Sequence, residues 1–458
     1  MREIQIGDTR RNHIRSTTRL ASGWISLATL VILLGWCSAW PTPAQAQSPG
    51  NNTVYASSTA QTGSAAFIDA SVVPQQTDIC YTLYKIISGA TYAYPSTGAV
   101  IDARGINSNL TCAPGNTPWQ HTGSSPATAP SVILLPAATI TINTTWTMPA
   151  NTHIVGEGPN LTILQATPGF SGDMIDMGAG NSTFCGTTQI CQGVQVEHLQ
   201  VNGGGGNGIV NSYSQDASYV NDVMLLDLGG IGLSIGGSIG GSAMNSGPYS
   251  NLTCDTGTLS AVCVQIKGVS GGTRGIRGLT CTGPSGYSKA AVLLDSSNNV
   301  IKDVRIVGFY DGIRIGSQAA AASNALFNIL GDTNAKAMPP PVNVVHIASN
   351  GYTVSDLSIM GVVNQGTGSY AIEDDVTVTT LPDSSLAMYV LGRKSPGGYY
   401  SRLTTSPNAA TWAFGPNAPT GACVRGSLHS NDSTSNNGGT LYVCDFNTSG
   451  KLVWQVVL

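Results

Sequence analysis

Five charged side chains stand out in a chain of 458 residues of which only 10% are charged: Asp255, Arg305, Asp311, Arg314 and Asp332. Two carboxyl groups at a defined separation, one protonated and one ionised, can cleave a glycosidic bond. A base set beside an arginine or a Ca²⁺ that neutralises a neighbouring acid group can instead drive an elimination. Tyr310 and Asn202 are of the type that stacks on or hydrogen-bonds a ligand beside such a centre. Three of the five charges fall in NNVIKDVRIVGFYDGIRIGS, residues 298–317, together with Lys302 and Asp303. That stretch is either a reactive centre or one copy of something that repeats.

It repeats. VEHLQVNG (196–203), VNDVMLLD (220–227), SNLTCD (250–255), IRGLTCTG (276–283), IKDVRIVG (301–308), FNILGD (327–332) and VSDLSIMG (354–361) share one layout. Their central apolar residues, Leu199, Val223, Leu252, Leu279, Val304, Ile329 and Leu357, lie 24 to 29 residues apart. In most copies the residue two places further on is also apolar, so the pair points to one side of a strand. A period near 25 residues marks a solenoid. It is too short for a strand–helix–strand crossover and long enough for three short strands and three bends. The fold class is therefore all-β, a parallel β-helix.

The position before each centre carries His198, Asp222, Asn251, Gly278, Asp303, Asn328 and Asp356, six of them polar. Stacked at strand spacing they read as a structural ladder bonding bends and one another, which takes Asp303 out of the catalytic candidates. Outward positions fall one and three residues after each centre, and only Asp255, Arg305 and Asp332 are charged there. Arg305 and Asp332, on adjacent rungs, read as a surface ion pair. Tyr310, Asp311 and Arg314 fall on a bend and a second strand, where a solvated turn competes with a binding role. Glu373, Asp374 and Asp375 either hold a Ca²⁺ or form a charged edge that stops further strand pairing. His346 reads as a packed strand histidine, and GGGGNG (203–208) has no following helix to cradle a nucleotide. Tyr287, Tyr310, Tyr352 and Tyr370 could offer sugar-stacking surfaces.

The first 46 residues have the layout of a cleaved, bacterial-type export signal. Arg2, Arg10, Arg11, Arg15 and Arg19 precede a short apolar run, Trp24 to Trp36, and Ala44-Gln45-Ala46 offers a cleavage site. Cleavage would leave 15 basic and 22 acidic residues, a net charge of −7. That composition holds no basic block for nucleic acid and no further membrane span. Export to the periplasm or the extracellular space places nine cysteines where disulfides persist. Local pairing joins Cys80 to Cys112, Cys185 to Cys191 and Cys423 to Cys444. Cys254, Cys263 and Cys281 compete for one more bond, and no spacing indicates a metal site.

STGAVIDARGI (96–106) and LLPAATITINTTWTMPANTHIVGEGPNLTILQA (134–166), with Gly156, Gly158, Thr162 and Leu164 in a first-rung pattern, resemble the right-handed β-helix proteins of the pectate lyase superfamily. The resemblance covers roughly residues 77–375 and implies a capping helix within 77–94. It also implies a secreted protein acting on an extracellular polysaccharide as a lyase or glycoside hydrolase. The catalytic motifs of pectate lyases and polygalacturonases are missing, so no catalytic residue carries over. The expected organisation is a signal at 1–46, a flexible linker at 47–76, the β-helix at 77–400 and a small Cys-stapled β unit at 401–458. Two functions remain open: a polysaccharide-cleaving enzyme, or a non-catalytic cell-surface or matrix protein that binds glycans.

Overall fold

The structure is a computed structural model that describes residues 66–90, 93–237, 243–257, 261–269, 271–284, 288–332, 341–348, 352, 354–355, 357–364, 370–374, 412–415, 418–420, 423, 427–431 and 440–457. The chain divides into two units, Met1–Asn52 and Thr53–Leu458, and all described residues belong to the second. The expected export signal and Asp356, Tyr287 and Asp375 lie outside them.

Two long parallel sheets make up the solenoid. The main path of the first runs through Ala66–Asp69, Ala99–Asp102, Ser131–Leu134, Thr152–Val155, Gln195–Asn202, Tyr219–Leu228, Tyr249–Thr256, Ile276–Thr282, Val300–Val307, Ala325–Gly331 and Ser358–Asn364. Thr139–Ile142 and Ile163–Ala166 join it from the side. The second runs from Trp146–Met148 through Ile175–Met177, Ile209–Asn211, Ile231–Gly236, Val262–Lys267, Ser288–Asp295, Phe309–Ile315 and Asn343–Ile347 to Tyr370–Asp374. From Gln195 onward the chain gives one strand to each sheet per turn. This is a parallel β-helix, wound in the right-handed sense that parallel crossovers adopt.

A third strand per turn was expected, but among the described residues that side shows Ala321–Ala322 paired with Val354–Ser355 and an isolated parallel bridge between Cys191 and Ser214. Elsewhere it is a bend held by buried side chains. The Asn299 carboxamide oxygen accepts from the Thr273 backbone N–H (3.0 Å) and hydroxyl (2.9 Å), and the Asn324 oxygen accepts from the Asn299 backbone N–H (2.9 Å). Asn324 in turn donates to the Ser296 carbonyl. Asn299 and Asn324 are almost wholly buried, so their amides satisfy backbone groups that no strand pairs.

The first sheet stacks Leu199, Val223, Leu252, Leu279, Val304 and Ile329 in register, all buried. The last rung departs from the expected alignment. Ile329 pairs with Val362, not Leu357, and Asn328 stands opposite Gly361. That turn is therefore 33 residues long, and Leu357 is buried in the bend before it.

The residue before each centre has a backbone role beside the expected ladder, of which the His198–Asp222 and Asn328–Asp303 bonds are present. His198, Asp222, Asn251, Gly278, Asp303, Asn328 and Gly361 all take φ between 52° and 70°. Asn, Asp and Gly tolerate this left-handed conformation best, which is why those types recur. The residue is skipped in the pairing and shifts the strand by one place, a stacked line of bulges. Inward side chains consequently fall three before, at and two after the centre, as in Ile301, Val304 and Ile306.

The amphipathic helix Ile79–Ile87 closes the N-terminal end of the core and buries Ile79, Leu83, Ile86 and Ile87. Asp78 caps it, accepting from the Tyr81 N–H at 2.8 Å and from the Asn116 amide at 2.9 Å. Ala66–Asp69 pairs with Ala99–Asp102, so the sheet begins inside the segment expected to be linker. Trp412–Gly415, Leu428–Asn431, Thr440–Phe446 and Leu452–Val456 form a separate four-stranded sheet, with Cys423 bonded to Cys444. Cys80–Cys112 and Cys185–Cys191 are also bonded. Cys254 pairs with Cys263, leaving Cys281 as a buried thiol that its apolar surroundings push well above the ordinary range.

Two expected outcomes test this register. Val304→Asp, which buries a carboxylate in the core, should lower stability by several kcal/mol. Arg305→Ala, on the outer side of the same strand, should cost less, about 1–3 kcal/mol, through the largely buried Asp332 whose ion pair it removes. Equal shifts in the denaturation midpoint would refute the inward and outward assignment. At the bulge line, Asn251→Gly should be tolerated and Asn251→Val should cost about 1–2 kcal/mol, because a β-branched residue strains at positive φ. Urea unfolding of the two variants checks this.

Candidate functional site

The bulge line bends the first sheet, and a groove of about 510 Å³ lies in the elbow. Asp222, Asn251, Gly278, Asp303 and Asn328 form one side of it. Thr253, Thr280, Arg305 and Leu330, each one place after a centre and stacked in register, form the other. The groove crosses five rungs, roughly 19 Å along the solenoid at strand spacing. Gly278 has φ of 69° and puts no side chain into it. The lining thus presents carboxylates, amides, hydroxyls and one guanidinium, with Leu252, Leu279, Val304 and Leu330 as its aliphatic members, a surface that can hydrogen-bond a chain of hydroxyl groups.

Its charges are few and mostly engaged. The Asp222 carboxylate is 2.7 Å from His198 Nδ1, and Asp303 accepts from the Asn328 amide at 2.9 Å. Asp222 and Asp303 are three rungs apart, roughly 14 Å. That exceeds the separation at which two carboxyl groups share a glycosidic bond. Arg305 places Nε at 2.7 Å and Nη2 at 2.5 Å from the same oxygen of Asp332. The expected ion pair is therefore present, with Asp332 largely buried and Arg305 half exposed.

Asp255 flanks the groove two residues beyond Thr253, on the same side of its strand. Burial, and then the nearby Asp227 carboxylate, raise its pKa above the ordinary carboxylate value. A carboxyl raised in this way is the type that can act as a general acid.

The remaining candidates sit elsewhere. Asp311 is fully buried, against the solvated turn expected for it, within the strand Phe309–Ile315 of the second sheet. It accepts from the Asn343 amide and pairs with His346 Nδ1, both at 2.9 Å, with Arg314 Nη1 at 3.6 Å. Buried charge needs such partners, and the cluster ties two adjacent second-sheet strands, Phe309–Ile315 and Asn343–Ile347, together. Tyr310 on that strand is exposed. Asn202 donates to Gln165 at 2.7 Å and does not line the groove. His346 is packed, as a strand histidine. Glu373 and Asp374 lie on the strand Tyr370–Asp374, but their side chains are outside the described residues. Among the described residues, Asp78, Cys80 and Cys112 bring three ligand atoms together, but both sulfurs are committed to a disulfide.

One titratable group had no sequence signal. Asp176, on Ile175–Met177, has a carboxyl oxygen buried without a hydrogen-bond partner. Burial, reinforced by the Asp173 charge, pushes it up to about 7. Asp173 itself is held by the Asn207 backbone N–H and amide. Nothing in IDM announces burial, because the strand lies outside the obvious repeats.

No protein-family model matches the sequence, and no curated protein matches it significantly. Similar solved structures include ORF18 of Geobacillus virus E2, at 11% identity over 86% of this chain and 76% of that one, TM-score 0.34. The tailspike receptor binding domain of Siphovirus 9NA matches at 12% identity over 71% and 61%, TM-score 0.29. The A-module of the mannuronan C-5 epimerase AlgE4 from Azotobacter vinelandii matches at 11% identity over 74% and 100%, TM-score 0.32. The β-helix itself is read from the strand pairing.

The raised Asp176 has a consequence for stability. The unfolded carboxyl ionises near 3.8 and the folded one near 7. Stability from this site is therefore complete below pH ~4 and is lost as pH rises to about 7. Asp176→Asn has no such loss, so its midpoint should gain on the parent protein steadily across that interval. A difference that stays constant with pH would show that Asp176 does not titrate there.

Proposed function

We propose that this right-handed parallel β-helix protein is exported and holds an extracellular polysaccharide along the elbow of its first sheet. The observation that carries the reading is the groove itself: five rungs of Asp, Asn, Thr and Arg side chains repeated at strand spacing beside one another. A ligand made of similar units suits a site made of similar units. Disulfides fit an oxidising compartment, and no helix among the described residues is long and apolar enough to cross a membrane.

Cleavage is the second reading, and Asp255 is the observation that favours it. A carboxyl whose pKa is raised by burial and by Asp227 is the type that serves a hydrolase as general acid, and it lies at one margin of the groove. A lyase would draw on Arg305, whose Nε and Nη2 are already given to Asp332, so elimination has less support. Without a closer pair inside the groove, binding is the better-supported activity.

Retention in affinity gels on plant, microbial and host polysaccharides tests the proposal, with reducing ends and unsaturated products followed in parallel. Thr280→Tyr fills the middle of the groove from an outward position. It should abolish retention, about tenfold or more, with an unchanged denaturation midpoint. Retention unaffected by Thr280→Tyr would place binding elsewhere. Release of reducing ends that is lost in Asp255→Asn would convert the binding protein into a hydrolase.

A further inference from the structure

We infer that the groove selects an uncharged, hydroxyl-rich polysaccharide and rejects polyuronates. The inference rests on the proposed binding role of the same groove and specifies its ligand. A polyuronate carries a carboxylate on every sugar, so a site for it must offer a cation at a similar repeat, or cations bridged through a metal. The groove offers the reverse. Its two acidic side chains, Asp222 and Asp303, have one cation among the lining residues to balance them, Arg305. That guanidinium spends Nε and Nη2 on Asp332, which lies behind it and is mostly buried. The outward column offers Thr253 and Thr280 on one flank of Arg305 and Leu330 on the other. A polyanion laid across five rungs would thus meet two carboxylates and a neutralised arginine.

The same side chains suit neutral sugars. Asp303 gives one oxygen to Asn328 and keeps the other to accept from a hydroxyl. Such charge-assisted bonds are about twice as strong as neutral ones. Asn251 and the two threonines donate and accept without regard to charge. Leu330 and the space over Gly278 give a sugar face an uncharged surface to lie on.

The test uses the protein lacking residues 1–46 in affinity gels containing mannan, xyloglucan or dextran on one side and polygalacturonate or alginate on the other. Each gel is run with Ca²⁺ and with a chelator, at about 0.05 M and about 0.5 M salt. Retention on a neutral polysaccharide that changes less than about twofold with salt, and is indifferent to Ca²⁺, is the expected result. The double variant Asp222→Asn/Asp303→Asn should weaken that retention about tenfold while leaving the midpoint of unfolding in place. Preferential retention on a polyuronate, whether salt-sensitive or dependent on Ca²⁺, would overturn the inference and leave the binding role intact. Retention on none of the five would overturn the binding role and, with it, this inference.

Discussion

A single left-handed residue on each of seven successive rungs of the first sheet, from Gln195–Asn202 to Ser358–Asn364, governs much of this molecule. Seven stacked positions from His198 to Gly361 hold φ near 50–70°, a conformation that costs most L-residues about 1 kcal/mol or more. Asn, Asp and Gly bear it cheaply, and the sequence uses them at six of the seven sites. Skipping that residue in the pairing changes the inward pattern from simple alternation to a three-then-two step. It also folds the sheet into the elbow that forms the groove. One backbone constraint therefore sets the core's packing and the shape of the candidate binding surface together.

The molecule separates its polar side chains by what they must satisfy. Asn299 and Asn324 are buried and bond backbone groups in a bend where no strand completes them. Asp303, Asn328, Asp222 and His198 lie on the bulge line, and their mutual bonds are open to solvent and worth little to stability. That difference frees the bulge line for ligand contact. The outer column can likewise vary between Thr253, Thr280, Arg305 and Leu330, because none of these side chains fills the core. A solenoid with such a division keeps its fold through inward residues and acquires a binding surface through outward ones.

The acidic groups follow the same logic of environment. Asp311 is ionisable in the core and is surrounded by Asn343, His346 and Arg314. Asp176 lacks such partners for one oxygen, and its pKa rises accordingly. Asp255 lies between these cases, at the margin of the groove and beside Asp227. Proximity in sequence predicted none of these distinctions. Asp303 and Arg305 are neighbours in the chain, yet one belongs to the bulge line and the other to the outer column.

The seven-fold repeat, the inward centres and the all-β solenoid were legible in the sequence, because an apolar column must recur at the length of one turn. Cys80–Cys112, Cys185–Cys191 and Cys423–Cys444 were legible for the related reason that short separations close easily. The polar residue before each centre was visible as a pattern, and bonds of the expected ladder are present, but a list of residue types did not show that the same positions are left-handed bulges. Gly278, the one member without a hydrogen-bonding side chain, was the clue. The choice of Val362 over Leu357 in the last rung required the pairing itself, since both are apolar and spaced plausibly. Only tertiary structure could bury Asp311 and Asp176 and choose Cys263 over Cys281 as the partner of Cys254. Burial and pairing depend on the neighbouring turns, about 25 residues away in sequence and one strand spacing away in space.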